Sequence, residues 1–303
     1  MARVLPLAAA LLLLLPFGQR ALALDIVTTT TDLAAIARAV GGGDVTVDSL
    51  VSGASDPHYI AAKPSMIRRV HDADLLILIG ADLEVGWLPA VLQAARNGAV
   101  QPGQRGHLDL SHVVTLREVP AGEVSRAQGD VHAAGNPHYW LDPRNGQRIA
   151  GAIANRLAAL DPGNRAHYRE RLAKFNAELE ARLPAWREGV AGLSGCSVIA
   201  YHKSFVYLAA AFGFDIVDEV EPLPGIPPSA SHLSDLISRI ARERIGLLIM
   251  EPYYERRSSD LLHARTGIRV AVIPQSVGAA AGIETYFDLF DAIVAALADA
   301  ASS

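Results

Sequence analysis

The tripeptide Pro-His-Tyr occurs twice in this chain, at Pro57-His58-Tyr59 and, 80 positions on, at Pro137-His138-Tyr139. A third histidine, His202, stands in VIAYHKSF directly after an apolar run, and Glu284 opens a helical pattern after RVAVIPQ and an Ala/Gly loop. Three imidazoles and one carboxylate suit a borderline metal such as Zn(II), which prefers four tetrahedral ligands with nitrogen donors at about 2.0–2.1 Å. The intervals of 80, 64 and 82 residues are far from zinc-finger spacings, so only a fold that gathers distant loops would build such a site. A proline ahead of His58 and of His138 restricts the approaching backbone and helps to preorganise it.

The elements that must position these residues follow from apolar runs alternating with helical patterns. LDIVTTTT reads as a strand, DLAAIARAV as a helix capped by Asp32, VTVDSLV as a strand, PSMIRRVHDA as a helix begun by Pro64, and DLLILIG as a fully apolar strand. The rhythm returns after residue 193: CSVIAYH, SFVYLAAAFG, FDIVDEV, SASHLSDLISRIARER, IGLLIMEP, SSDLLHARTG and RVAVIPQ, then a final helix from about Glu284 to Ala298. Such alternation signals βα units around parallel sheets covered on both faces. Between the two α/β lobes, Tyr168, Leu172, Phe175, Leu179, Leu183, Trp186 and Val190 fall at spacings of three and four, one apolar stripe of a long helix. At ~27 residues it would be about 40 Å long and stiff, with a kink or break at Pro184. In open parallel sheets ligands sit beyond the carboxyl ends of strands. His58 and His138 in one lobe, and His202 and Glu284 in the other, all fall at loop positions facing a shared cleft.

Residues 1–23 hold Arg3, an apolar stretch from Leu5 to Phe17 and a small-residue ending at Ala21-Leu22-Ala23, the pattern of a cleaved secretory signal peptide. No later run is long enough to span a bilayer, and no Cys lies near the cleavage point, so a free periplasmic protein is expected. Removing Arg3 and Arg20 takes the formal charge from −5 to −7, which gives no support to nucleic-acid binding. The single Cys196 excludes an internal disulfide. No H-E-x-x-H or G-x-S-x-G motif supports a zinc-dependent hydrolase, and no repeat or stalk supports an adhesin.

GASDPHYIAAKPSMIRRVHDADLLILIGADLEVGWL, NPHYWLDPRN, YHKSFVYLAAAFG, GIPPSASHLSDLI and GIETYFDLFDAIV together resemble the zinc- and manganese-binding solute-binding proteins of bacterial ABC importers, over essentially the whole mature chain. The resemblance implies two Rossmann-like lobes, residues 24–163 and 193–303, joined by a rigid linker helix over 164–192, with a metal in the interlobe cleft. It implies His58 from the D-P-H motif, His138 from P-H-x-W and His202 from the motif opening the second lobe. Zinc carriers of the family place a histidine at that third position and manganese carriers a glutamate, so His202 favours zinc. The fourth ligand is usually an aspartate, where this chain has Glu284; Asp288 or water are the substitutes. The expected function is capture of Zn(II) as transported ligand and its delivery, by a monomer that is no enzyme, to an ABC permease in the inner membrane. A manganese or iron carrier is the alternative, and a metallochaperone is a further candidate partner.

The run ahead of His138 offers only Asp130 and His132, and is expected to be a surface loop. His71, His107, His112, His167, His232 and His263 match no motif and are expected at the surface. Tyr59, Tyr139 and Trp140 are expected to pack beside the ion without touching it. Glu251, at a strand end, is a candidate for supporting a ligand or capping a helix.

Overall fold

The computed structural model describes residues 23–122, 132–223 and 225–302; residues 1–22 of the expected signal peptide and Asp130 lie outside them. The first lobe runs β1 (Leu24–Thr28), α1 (Thr31–Gly41), β2 (Val45–Ser49), α2 (Pro64–Asp72), β3 (Leu75–Leu78), α3 (Leu88–Ala95), β4 (His107–Asp109) and α4 (Pro143–Leu160). The long helix α5 (Arg165–Gly189) leads to β5 (Ser197–Ala200), α6 (Val206–Phe212), β6 (Asp215–Glu219), α7 (Ala230–Glu243), β7 (Leu247–Met250), α8 (Arg257–Thr266), β8 (Arg269–Val272) and α9 (Tyr286–Ser302). The two sheets are parallel and have the same construction, β2-β1-β3-β4 and β6-β5-β7-β8. Their inner strands β3, LLIL, and β7, LLIM, are buried at every position, as sheets covered on both faces require. All strands of a lobe end on one edge, and the loops leaving that edge carry the polar residues discussed below.

Two local readings need correction. Thr30, not Asp32, caps α1. Asp32 sits inside the first turn, fully buried, and its Oδ1 accepts the Val277 N–H at 2.9 Å. The helix starts two residues earlier than a cap at Asp32 would place it, because the extended Thr30 turns its hydroxyl back on the Leu33 N–H. Helix α5 also continues through Pro184 to Gly189 without the expected break. The residues around the proline are held from outside: Leu179 and Trp186 are buried, and Trp186 Nε1 donates to Asp291 Oδ1 at 2.6 Å. Tertiary packing of an apolar face outweighs the loss of one backbone donor. Strand β4 and helices α3 and α4 add to the expected elements; a three-residue strand is too short for a period to show, whereas Asp142-Pro143 and the spacing of Ile149, Ile153 and Leu157 do mark α4.

Helix α5 packs against α1 and α4 on one side and α9 on the other. One buried apolar cluster therefore runs from Ile26 and Leu33 in the first lobe through Phe175, Leu179 and Trp186 to Phe290 and Leu297. At the strand-end edge the lobes meet directly: Trp140 Nε1 donates to Gln275 O at 3.0 Å, and Tyr286 Oη donates to Trp140 O at 2.6 Å. Gly53 lies so close to this seam that a Cβ there would stand 1.9 Å from Val277 O.

The end of β3 is fixed by Glu84, 3% exposed. Its Oε1 accepts Thr29 Oγ1 at 2.6 Å and Ile79 N at 2.9 Å, and Oε2 accepts Gly80 N at 3.0 Å. Burial pushes the carboxyl up to about 7 although all three bonds oppose the rise. They hold a turn in which Gly80, Ala81 and Asp82 have φ of 72°, 49° and 66°, a conformation costly for the two non-glycine residues. Glu84→Ala should lower the unfolding free energy by about 3 kcal/mol, because it leaves three buried donors unpaired. Urea denaturation measures it; a loss under about 1 kcal/mol would mean that the donors find other acceptors.

Candidate metal centre

The repeated Pro-His pair is part of a longer local device. In Asp56-Pro57-His58, Asp56 Oδ1 accepts both the backbone N–H of His58 at 2.9 Å and its ring Nδ1–H at 2.7 Å. In Asn136-Pro137-His138, Asn136 Oδ1 does the same for His138, at 3.0 Å each. The short Asx side chain bonds two residues on, as in an Asx-turn, while proline fixes the backbone between. Each histidine is thus held by its neighbour two positions back. Trp87 Nε1 secures the first device by donating to Pro57 O at 3.0 Å, and Asn136 Nδ2 ties the second to the other lobe by donating to Lys203 O at 2.7 Å.

His202 leaves the end of β5, and its Nδ1 faces Glu221 Oε2, beyond β6, at 2.8 Å. The three rings therefore share one arrangement: Nδ1 is committed to an oxygen acceptor, which fixes the tautomer with the lone pair on Nε2. The exposures are 9% for His58, 1% for His138 and 3% for His202. Ring centroids lie 5.1, 5.5 and 5.6 Å apart pairwise, and one ligand atom from each histidine falls within 4.8 Å of the others. The Nε2 of His138 is buried without a hydrogen-bond partner. A buried nitrogen lone pair aimed at two others is costly unless something electrophilic joins them.

Charge supports that state. Burial raises the Asp56 carboxyl, but its hydrogen bonds from the His58 ring and backbone leave it below the ordinary value. Burial, and then the neighbouring imidazoles, hold His138 well below the usual histidine range. The ring stays neutral, as a metal ligand must.

Glu284 is not brought to this cluster. It is exposed just ahead of α9, where its backbone N–H and that of Thr285 donate to Asp288 Oδ2 at 3.2 and 2.8 Å. Asp288 thus serves the start of that helix. The residue that does approach is His132, whose Nε2 lies 3.3 Å from Nε2 of His58, with ring centroids 5.3 Å apart. It is half-buried, and burial together with His58 and His202 lowers its pKa to about 3. Residues 123–131 of the expected surface loop lie outside the described residues; at its described end His132 faces His58, while Ala133 and Ala134 are exposed.

The Glu251 side chain is fully buried next to Ser204. Burial pushes its carboxyl up to about 8, against the opposing hydrogen bond from the Ser204 side chain. Tyr139 and Trp140 are fully buried, the latter with its ring 5.4 Å from that of His138, whereas Tyr59 is 58% exposed. His71, His112, His167 and His263 are exposed; His107 and His232 are half-buried with a ring nitrogen on a backbone carbonyl. Asp56, Asn136 and Glu221 are the functional residues that sequence reasoning missed. The Asx-Pro-His pattern could have revealed the first two, but nothing local marks Glu221.

Comparison with known proteins agrees with this geometry. The high-affinity zinc uptake system protein ZnuA of Paracoccus denitrificans is 28% identical over 300 residues, covering 90% of each chain. The zinc-binding lipoprotein AdcA of Streptococcus pneumoniae is 23% identical over 261 residues, 82% of this chain; the match spans about half, 49%, of that longer relative. A crystal structure of ZnuA superposes with a TM-score of 0.75 at 26% identity, covering 92% of this chain and 99% of that one. Residues 26–300 match the model of the zinc-uptake complex component A periplasmic family, and the chain belongs to that family.

Proposed function

We propose that this protein captures Zn(II) between its lobes, on His58, His138 and His202, and delivers it to an ABC permease in the inner membrane. The observation that carries the reading is the shared state of the three rings, each with Nδ1 held by an oxygen and each with a ligand nitrogen within 4.8 Å of the other two. Three imidazole nitrogens favour zinc over the harder, oxygen-preferring manganese. Glu284, the fourth donor expected from the sequence, would have to leave its exposed place ahead of α9 to join them.

The proposal includes the division into a first lobe over 24–163, a linker helix over 164–192 and a second lobe over 193–303. It also includes a monomer in the periplasm without a lipid anchor, supported by an only cysteine, Cys196, that lies in the second lobe. No described helix is long and apolar enough to cross a membrane. A metallochaperone that loads the site is a further proposed partner.

Deletion of the gene tests the reading in vivo. Growth of the deletion strain in metal-depleted medium should be restored by added zinc and not by manganese, and the protein purified from its host should carry about one zinc. Restoration by manganese alone would overturn the assignment. Tight binding in vitro is no substitute, because intrinsic affinities follow the Irving–Williams order whatever the cargo.

A further inference from the structure

We infer that His132 is the fourth protein ligand of the captured zinc, closing the coordination shell with four imidazoles. The inference rests on the proposed three-histidine site and goes beyond it by naming the group that completes it. Two donors on one tetrahedral zinc, each at about 2.0–2.1 Å, are about 3.3–3.4 Å apart. The Nε2 atoms of His132 and His58 are 3.3 Å apart. Since Nδ1 of His58 is committed to Asp56, its Nε2 presents a lone pair to His132. Without an ion, His132 must turn its own Nε2–H toward that lone pair; with an ion, both lone pairs aim at the metal.

The position of His132 is built by the fold. The two residues that follow it are tied to the first lobe, with Ala133 N and Ala134 N donating to Asp82 Oδ2 at 3.0 and 3.4 Å. Asp82 stands in the left-handed turn after β3, the conformation that Glu84 holds in place. The Gly135 N–H returns to His132 O at 3.1 Å, and Gly135, at φ 115°, redirects the chain into the Asn136-Pro137-His138 device. His132 and His138 are thereby carried on one anchored segment, six positions apart, with His132 on the side of the cluster where His58 lies. Neither Glu284 nor His132 belongs to the group of ligand atoms that lie within 4.8 Å of one another, but His132 already stands 3.3 Å from His58, whereas Glu284 is exposed ahead of α9.

Zinc-edge X-ray absorption on the zinc-loaded full chain tests the inference, with His132→Ala and Glu284→Gln beside the wild type. The wild type should show four imidazole nitrogens. His132→Ala should show three with one oxygen, and should bind zinc at least the 10- to 100-fold more weakly that loss of even a supporting partner of a ligand causes. Glu284→Gln should match the wild type in both respects. If His132→Ala lowers the melting temperature of the metal-free protein, His132→Gln, which keeps most of the volume, carries the same comparison. Three imidazoles in the wild type, with spectrum and affinity unchanged by either His132 variant, would overturn the role of His132 and leave the three-histidine site standing. A spectrum altered by Glu284→Gln instead would assign the position to the carboxylate. A wild type that binds no zinc would overturn the proposed function itself.

Discussion

Zinc at a thousandfold excess over its dissociation constant should raise the unfolding free energy by about 4 kcal/mol, the linkage value for a ligand bound only by the folded state. For a chain of this size that corresponds to a rise in melting temperature on the order of 10 °C. Calorimetry of EDTA-treated and zinc-loaded samples measures it, and coincident melts would refute zinc binding in the cleft. The gain should vanish in acid, because zinc needs neutral imidazoles. The metal-free protein has its own acid response. His138 and His132 have folded pKa values below the unfolded value near 6.5, so at lower pH the unfolded chain binds protons that the folded chain refuses. Each lowers stability as pH falls from about 6.5 toward its depressed value. Asp32 and Glu84, raised to about 7, and Glu251, raised to about 8, act in the opposite sense. Their contribution is complete below about pH 4 and is lost as pH rises through 7 to 8.

His202→Glu should weaken zinc binding by at least 10- to 100-fold and move preference toward manganese, since it exchanges an imidazole for a hard oxygen donor. The structure adds a condition. His202 faces Glu221 at 2.8 Å, with both side chains nearly buried, so the introduced carboxylate would meet a second one. One of the pair would take up a proton in the metal-free protein, and metal would have to displace it. Manganese binding by His202→Glu should therefore strengthen when Glu221→Gln is added, whereas Glu221→Gln alone should only loosen His202 and weaken zinc. With one imidazole fewer competing for protons, the loss of zinc in acid should also become shallower. Isothermal titration of both metals between pH ~5 and ~8 reads all these effects. An unchanged acid slope and unchanged preference would show that His202 only packs.

Much of this architecture could be read from the chain because its signals are local. The apolar runs at β3 and β7 and the stripe from Tyr168 to Trp186 mark buried strands and a long helix with no knowledge of what they touch. The three histidines were legible because each follows a strand or a proline. What eluded reading depends on contacts across long intervals. Glu221 supports His202 from 19 residues away, and Asp32, a plausible cap by its place, is drawn inward to Val277 across 245 residues. His132 escaped for a related reason, since its approach to His58 requires Asp82 to reach across 51 positions and tie down the residue that follows it. Glu284 looked like a ligand by position, yet the turn it occupies presents its backbone N–H to Asp288 and leaves its side chain in solvent.

The continuous apolar core along α5 and the seam at Gln275 and Val277 bear on how long an ion stays. Separating the lobes as whole bodies would strip Phe175 and Trp186 from the rings of α9 and break the bonds from Trp140 to Gln275 and from Val277 to Asp32. That cost resembles partial unfolding, so an ion that exchanges faster than the protein unfolds must leave through the loops that carry the imidazoles. Residence time then answers to the Asx-Pro-His turns and to the Asp82 anchor, while equilibrium stability answers to the core. A substitution that shortens the stay of the metal need not change the melting temperature of the empty protein, and a permease that presses on the loops alone can unload the ion while both lobes keep their shape.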